Sequence, residues 1–232
     1  MNSKTSKLLC DKNEEQEVDE SSLSELGEEI LKVIGMENPK DNTSNHSIEY
    51  LNRIRSRKIY LFGDVSTEII VAVIYQIHIL ESVNSEQDIE LVINSGGGDV
   101  TDCLALIDTM NVSPCDFKVT VLGTAASAAC LIASNGAKGK RYAGSNSEFM
   151  FHEIFGTFES KTSDVVYYKK ETERVQKKFN KIFSSNTGRT LAEIREEFYG
   201  SKDKFMTATE ARKFGIIDKV FANKKRRREK SK

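Results

Sequence analysis

The sequence is short of the residues on which several functional classes depend. It has three histidines in 232 residues, His46, His78 and His152, so few positions could supply an imidazole base. The four cysteines, Cys10, Cys103, Cys115 and Cys130, form no Cys-x-x-Cys pair. No metal site is indicated, and a reducing compartment fits best. No apolar run reaches membrane-spanning length, and Met1–Cys10 lacks the apolar core of a secretory signal. The expectation is a soluble protein of the cytoplasm or an equivalent organelle interior. Formal net charge is −1, which argues against a nucleic-acid or anionic-membrane partner. That balance hides a polarity: the first 45 residues are acidic, and the tail Lys224–Lys232 is almost wholly basic. The tail reads as a solvated terminus, with an interaction patch as the alternative.

What is present is enough apolar residue, 38%, for one good core. Three segments are expected: an acidic extension over 1–47, one main domain over 48–222 and a basic tail over 223–232. Within the extension, residues 1–21 are charged and polar, and Ser22 with Glu25 resembles a capping box for a short helix that Gly35 and Pro39 end. In the main domain, Ile48–Ile54 reads as a short helix and Lys58–Phe62 as a strand turned by Gly63-Asp64. Ile69, Ile70, Val73, Ile74, Ile77 and Leu80 mark a helix over 67–81. Ile89–Ile93 is a strand whose continuous apolarity suits a parallel sheet covered on both faces. Val100, Cys103, Leu104, Ile107 and Met110 mark the next helix, and Phe117–Leu122 the next strand. The alternation predicts an α/β domain. Beyond it come a loop or hairpin over 136–147, a strand Phe149–His152, an exposed segment 154–163 and a long Lys- and Glu-rich helix over 164–184. Capping boxes at Thr190/Glu193 and Thr207/Glu210 start two more helices, and Ile216–Phe221 closes the fold as a strand.

The chemistry concentrates on Gly123-Thr124-Ala125-Ala126-Ser127-Ala128-Ala129-Cys130. An apolar strand leads into small residues, which let a helix start close to the sheet. A serine at such a junction can expose its Oγ where helix amides converge. Two stretches face it: Asn94-Ser95-Gly96-Gly97-Gly98 and Phe149-Met150-Phe151-His152-Glu153. Serine, histidine and a glycine-rich source of amides are the parts of a serine hydrolase. The dull readings are a small residue at a helix start, a core histidine and a tight turn. Cys130, three residues past Ser127, stands close enough to modify the site if oxidised. His46 and His78 read as solvated or structural.

These motifs together resemble the proteolytic subunit of the Clp protease family, within the wider crotonase-like fold. Asn94–Gly98 matches the family's Asn-Ser-Pro-Gly-Gly, with Gly96 in place of proline. Gly123–Ser127 matches Gly-x-Ala-Ala-Ser, Gly136–Arg141 and Phe149–His152 follow the family, and Thr207–Val220 matches its last helix and strand. The resemblance spans about 48–222. It implies repeated β-β-α units with a projecting handle helix at about 164–184. It implies Ser127 as nucleophile, His152 as general base, and the Gly97 and Ala128 amides as oxyanion hole. Counting from Thr187-Gly188, the third triad member falls on Glu197, where the family normally has aspartate. Two extra residues precede Asp203-Lys204-Phe205, so Glu196 and Asp203 are rivals. No metal or cofactor is implied. The implied partners are an unfolded protein or peptide substrate, identical subunits in stacked heptameric rings, and an unfoldase of the AAA+ class, whose contact loop in the family is replaced here by the acidic extension.

The leading expectation is therefore an ATP-dependent Clp-type serine endopeptidase subunit with no ATPase of its own. A second reading is a weakly active or inactive ring subunit that co-assembles with an active paralogue. A third, an acyl-CoA enzyme of the crotonase type, would not need the Ser127/His152 pair, and the sequence carries no good CoA-binding signature.

Overall fold

The computed structural model describes residues 54–154, 161, 164–198 and 203–222. The extension 1–47, most of the 48–54 helix, nearly all of segment 154–163, Gly200 and the basic tail, with Cys10 and His46, lie outside the described residues.

Strand and helix alternate through the first half: β1 (Lys58–Val65), α1 (Thr67–Val83), β2 (Ile89–Gly98), α2 (Val100–Val112), β3 (Phe117–Ala126) and α3 (Ala128–Ser134). β1, β2 and β3 pair in parallel. Consecutive Leu91, Val92 and Ile93 are all buried, as a strand covered on both faces requires. α1 buries Ile70, Val73, Ile77 and Leu80, the three- and four-residue spacing of one helical face. The α/β expectation holds. Single strand–helix units make up this half, and paired strands come only afterwards, in a sheet that stays open.

The closing strand is shorter than the expected Ile216–Phe221, spanning only Lys219–Val220, and the strand expected over Phe149–His152 runs from Glu148 to Phe151. Along β1 to β3, three further boundaries differ from the sequence reading, each for a long-range reason. β1 does not turn at Gly63 but passes through an irregularity between Phe62 and Asp64 and re-pairs Val65 with Gly98. β2 runs on through its glycines to Gly98, because Asp64 and Val65 of β1 still pair with them. β3 continues past Leu122 to Ala126 because it changes partners. Val119–Val121 pairs with β4 (Arg141–Ala143), and Thr124–Ala126 pairs with β5 (Glu148–Phe151). The change of partner is made at Gly123, with φ +106°, where a Cβ would stand 2.4 Å from Asn94 Oδ1. Asn94 Oδ1 instead accepts the Thr124 N–H at 3.1 Å. β4 lies inside the expected 136–147 loop. Its three residues are too few to show an alternation, and it exists by pairing with β3 and with β7 (Lys219–Val220).

β6 (Lys204–Thr207) pairs antiparallel with β5. The capping box of α6 (Ala208–Phe214) forms in full between Thr207 and Glu210. The Thr190/Glu193 box starts α5 (Leu191–Phe198) with its reciprocal bonds of 2.8 and 3.2 Å. The long charged helix is α4 (Val165–Thr187). At its start Val165, Val166 and Tyr167 are exposed, and its buried positions are Gln176, Phe179, Asn180 and Phe183. Arg141, buried, clamps the far side of this half. Its guanidinium binds Asp218 through Nε and Nη2 at 2.9 and 2.6 Å and the carbonyls of Ser134 and Asn186 at 3.2 and 2.9 Å. The ends of α3 and α4 are thereby tied to β4 and β7. Among the described residues, no helix is long and apolar enough to cross a membrane.

Candidate active site

Ser127 stands between β3 and α3 with φ 52° and ψ −121°. A left-handed φ on a residue with a Cβ costs on the order of 1–3 kcal/mol and persists only where the surroundings over-determine it. Here they do. The Ser127 N–H donates to Met150 O of β5 at 2.8 Å, and its carbonyl accepts the Cys130 and Leu131 N–H at 3.0 and 3.3 Å. The chain is held as a strand on one side and as a helix on the other, so the bend falls on Ser127. All of Ala128–Ser134 is buried beneath it. The run of alanines is what lets the helix sit so near the sheet.

His152 follows β5 directly, and its Nε2 is 2.8 Å from Ser127 Oγ. The same β3–β5 pairing that bends the chain at Ser127, with Ala126 opposite Met150, brings the imidazole two residues later to the hydroxyl. An imidazole nitrogen at that distance can take the hydroxyl proton as the oxygen attacks a carbonyl carbon. The serine and the histidine that the sequence analysis set facing each other are one unit in space.

Gly97 packs against this unit. A Cβ there would lie 2.7 Å from Ser127 Cβ and 2.7 Å from Ala126 O. The position therefore requires glycine for close approach as well as for its φ of +96°. Its N–H donates to the buried Ser95 Oγ at 3.1 Å, a partner the oxyanion expectation did not anticipate. Ala128, also expected in the oxyanion hole, is the first residue of α3 and is buried.

Glu197 lies on α5 with its carboxylate exposed, and Oε1 pairs with Lys204 Nζ at 2.5 Å. Lys204 in turn stands opposite Phe151 in the β5–β6 ladder. Asp203 directly precedes β6, as His152 directly follows β5. Glu196 and Asp203 are both exposed. His78 is exposed on α1, away from this ladder.

Cys130 is enclosed completely, and burial pushes its thiol well above the usual range. Cys103, on α2, is raised by burial first and by Asp99 second, and its Sγ donates to Ala128 O of α3 at 3.5 Å. Both are packing residues. The expectation that oxidation at Cys130 could modify the site fails because the thiol is inaccessible and held protonated. Among the described residues, no group of three or more His, Cys, Asp or Glu is placed to hold a metal ion.

Sequence reading missed Ser95 as the acceptor of Gly97 and missed Gln176. Gln176 is buried on α4 with Oε1 accepting the Ile154 N–H at 2.7 Å. The available signal was a polar residue three positions before Phe179, on the face that turns inward.

A serine strained at a strand–helix junction, with an imidazole on its hydroxyl and a glycine loop against its Cβ, is the equipment of a serine hydrolase. A family model described as Clp protease matches residues 41–224, and the chain belongs to that family. It is a Clp-type serine endopeptidase subunit, a hydrolase acting in proteolysis.

Proposed function

We propose that the chain is the peptidase subunit of an oligomeric chamber in the cytoplasm or an equivalent compartment, and that it cleaves unfolded polypeptides or short peptides. The 2.8 Å bond between His152 Nε2 and Ser127 Oγ carries the reading. His152 takes the Ser127 proton while Oγ bonds to the peptide carbonyl carbon. The tetrahedral species then expels the amine, which receives that proton, and water releases the acyl group by the reverse route. The Ala128 amide and the Gly97 loop face the oxyanion. Gly97 supplies the close approach, and its own N–H is occupied by Ser95. The Asp99 N–H is turned to Val65 O of β1 at 2.8 Å. The N–H of Gly98, next in the loop, is proposed as its other donor.

Glu197 is proposed to orient His152 by releasing Lys204, with Asp203, directly before β6, its rival. The domain is taken as 48–222, with the extension and tail outside it. The change of partner along β3 supports a crotonase-like arrangement of β-β-α units. The exposed apolar start of α4 supports ring-on-ring stacking of heptamers through a handle. An AAA+ unfoldase would deliver folded substrates.

A second reading is a weakly active or inactive subunit that works beside an active paralogue. The observation favouring it is that Glu197 is engaged with Lys204. A serine-directed fluorophosphonate, a fluorogenic peptide and native mass, applied to the wild type and to Ser127→Ala, separate the two. Ser127-dependent labelling and turnover in a many-subunit particle establish the chambered peptidase, and turnover should fall by at least about a thousandfold in Ser127→Ala. A ring-sized particle that neither labels nor turns over selects the inactive subunit. In the active case, Glu197→Gln should lower kcat by about a hundredfold or more, against little change in Glu196→Gln. The same loss in Asp203→Asn instead would reassign the third member.

A further inference from the structure

α4 carries Lys or Glu on most of its surface, yet two of its four buried residues are amides. Gln176 is 8% and Asn180 2% exposed. Buried amides are stabilising only where their polar atoms are paired. The Ile154 N–H can only donate, so the oxygen of Gln176 must face it, at 2.7 Å. Gln176 Nε2 then points the other way and donates to Asn180 Oδ1 at 2.9 Å. Ile154 thus fixes which end of Gln176 faces it, and Asn180 accepts from the other end.

Ile154 lies two residues past His152, beyond the end of β5, where the sheet ladder no longer holds the chain. On the near side of His152, the Phe151 ring stacks on Phe183 with centroids 4.3 Å apart. Gln176 and Phe183 are seven residues apart, two turns along one face of α4. One helix therefore grips the chain immediately before and immediately after the general base.

We infer that Gln176 is a positioning residue for His152, acting through the Ile154 amide, with Asn180 holding the Gln176 amide in the productive orientation. The inference rests on the peptidase reading above. Loss of the Gln176 acceptor would let the 152–154 backbone drift. A general base displaced by fractions of an ångström from the serine loses rate without losing substrate affinity.

The test uses the full chain with Gln176→Met, which removes both bonds, and Gln176→Glu, which keeps an acceptor for the Ile154 N–H. Peptide turnover and the rate of fluorophosphonate labelling of Ser127 are measured well below the melting temperature of each protein. The expected result is a fall in kcat and in labelling rate of about tenfold or more in Gln176→Met, with KM within about twofold, and recovery of most of that loss in Gln176→Glu. Should Gln176→Met fail to fold, Gln176→Lys takes its place, because its stem can carry the ammonium out to solvent. A folded Met or Lys variant with wild-type kcat, or one whose KM rises while kcat stays constant, overturns the inference alone. A wild type whose Ser127 does not label overturns the peptidase reading as well.

Discussion

Gly96 and Gly97 are adjacent and make opposite demands. Gly97 has φ +96° and no room for a methyl group, since the nearest atoms to a Cβ are Ser127 Cβ and Ala126 O at 2.7 Å. Gly97→Ala should displace Ser127 from His152 and lower the fluorophosphonate labelling rate at least tenfold, with a loss of stability above about 1 kcal/mol. Gly96 has no atom within 4 Å of an added Cβ and no left-handed φ. Gly96→Ala should therefore stabilise by about 0.4–1 kcal/mol through the unfolded chain. A lowered urea midpoint for Gly96→Ala would show that the loop needs glycine at both positions. At this scale the sequence singled out Ser127 and His152, which the structure brings to 2.8 Å of one another, because a serine among small residues after an apolar strand is a local pattern. It did not reveal that Ser95 takes the Gly97 N–H. That bond depends on the conformation of a loop, which no spacing rule encodes.

Among the elements, the clamp between Arg141 and Asp218 joins the most pieces. Burial acts to raise the Asp218 carboxyl, but the hydrogen bonds from the Arg141 side chain and amide, with help from the Gly139 amide, hold it below the ordinary aspartate value. A folded-state pKa below the unfolded one contributes stability above the ordinary carboxylate range. That contribution is lost as pH falls through the range toward the folded value. Asp218→Asn should lower the melting temperature at neutral pH, and the gap to wild type should close in acid. The cost at pH 7 falls toward the low end of the roughly 3–5 kcal/mol for breaking a buried pair, because the Asp218 side chain is 23% exposed. A gap that stays constant down to strong acid would mean that the carboxylate charge is not what stabilises the clamp. The helices were legible in advance because period and caps are local: the 67–81 stripe and both described capping boxes sit where the residues place them. β4 was not legible, since a three-residue strand is defined by its neighbours in space.

For the molecule as a whole, the proposal turns on α4. Its C-terminal half is part of the core, while Val165, Val166 and Tyr167 at its start are 54%, 60% and 67% exposed. An apolar start on a charged helix is the feature expected of a surface that a second copy covers. Val166→Lys should leave the fold's stability within about 0.5 kcal/mol, as for other solvent-facing substitutions. On the proposed ring stacking, it should reduce the native mass to that of a smaller assembly. An unchanged particle would remove this face from the stacking surface.

The sequence by itself determined the alternation of strands and helices, the helix starts, and the serine and histidine proposed to do the chemistry. These follow from side-chain periodicity and capping, which act over a few residues. Only the tertiary structure decided where β3 changes partner, how Ser127 is bent, that His152 meets its hydroxyl, that Glu197 rests on Lys204, and that Gln176 holds the chain beyond the histidine. Each of these is a contact between residues distant in the chain or a dihedral imposed by pairing on both sides. Such features come from packing the whole domain at once, so no window of sequence contains them.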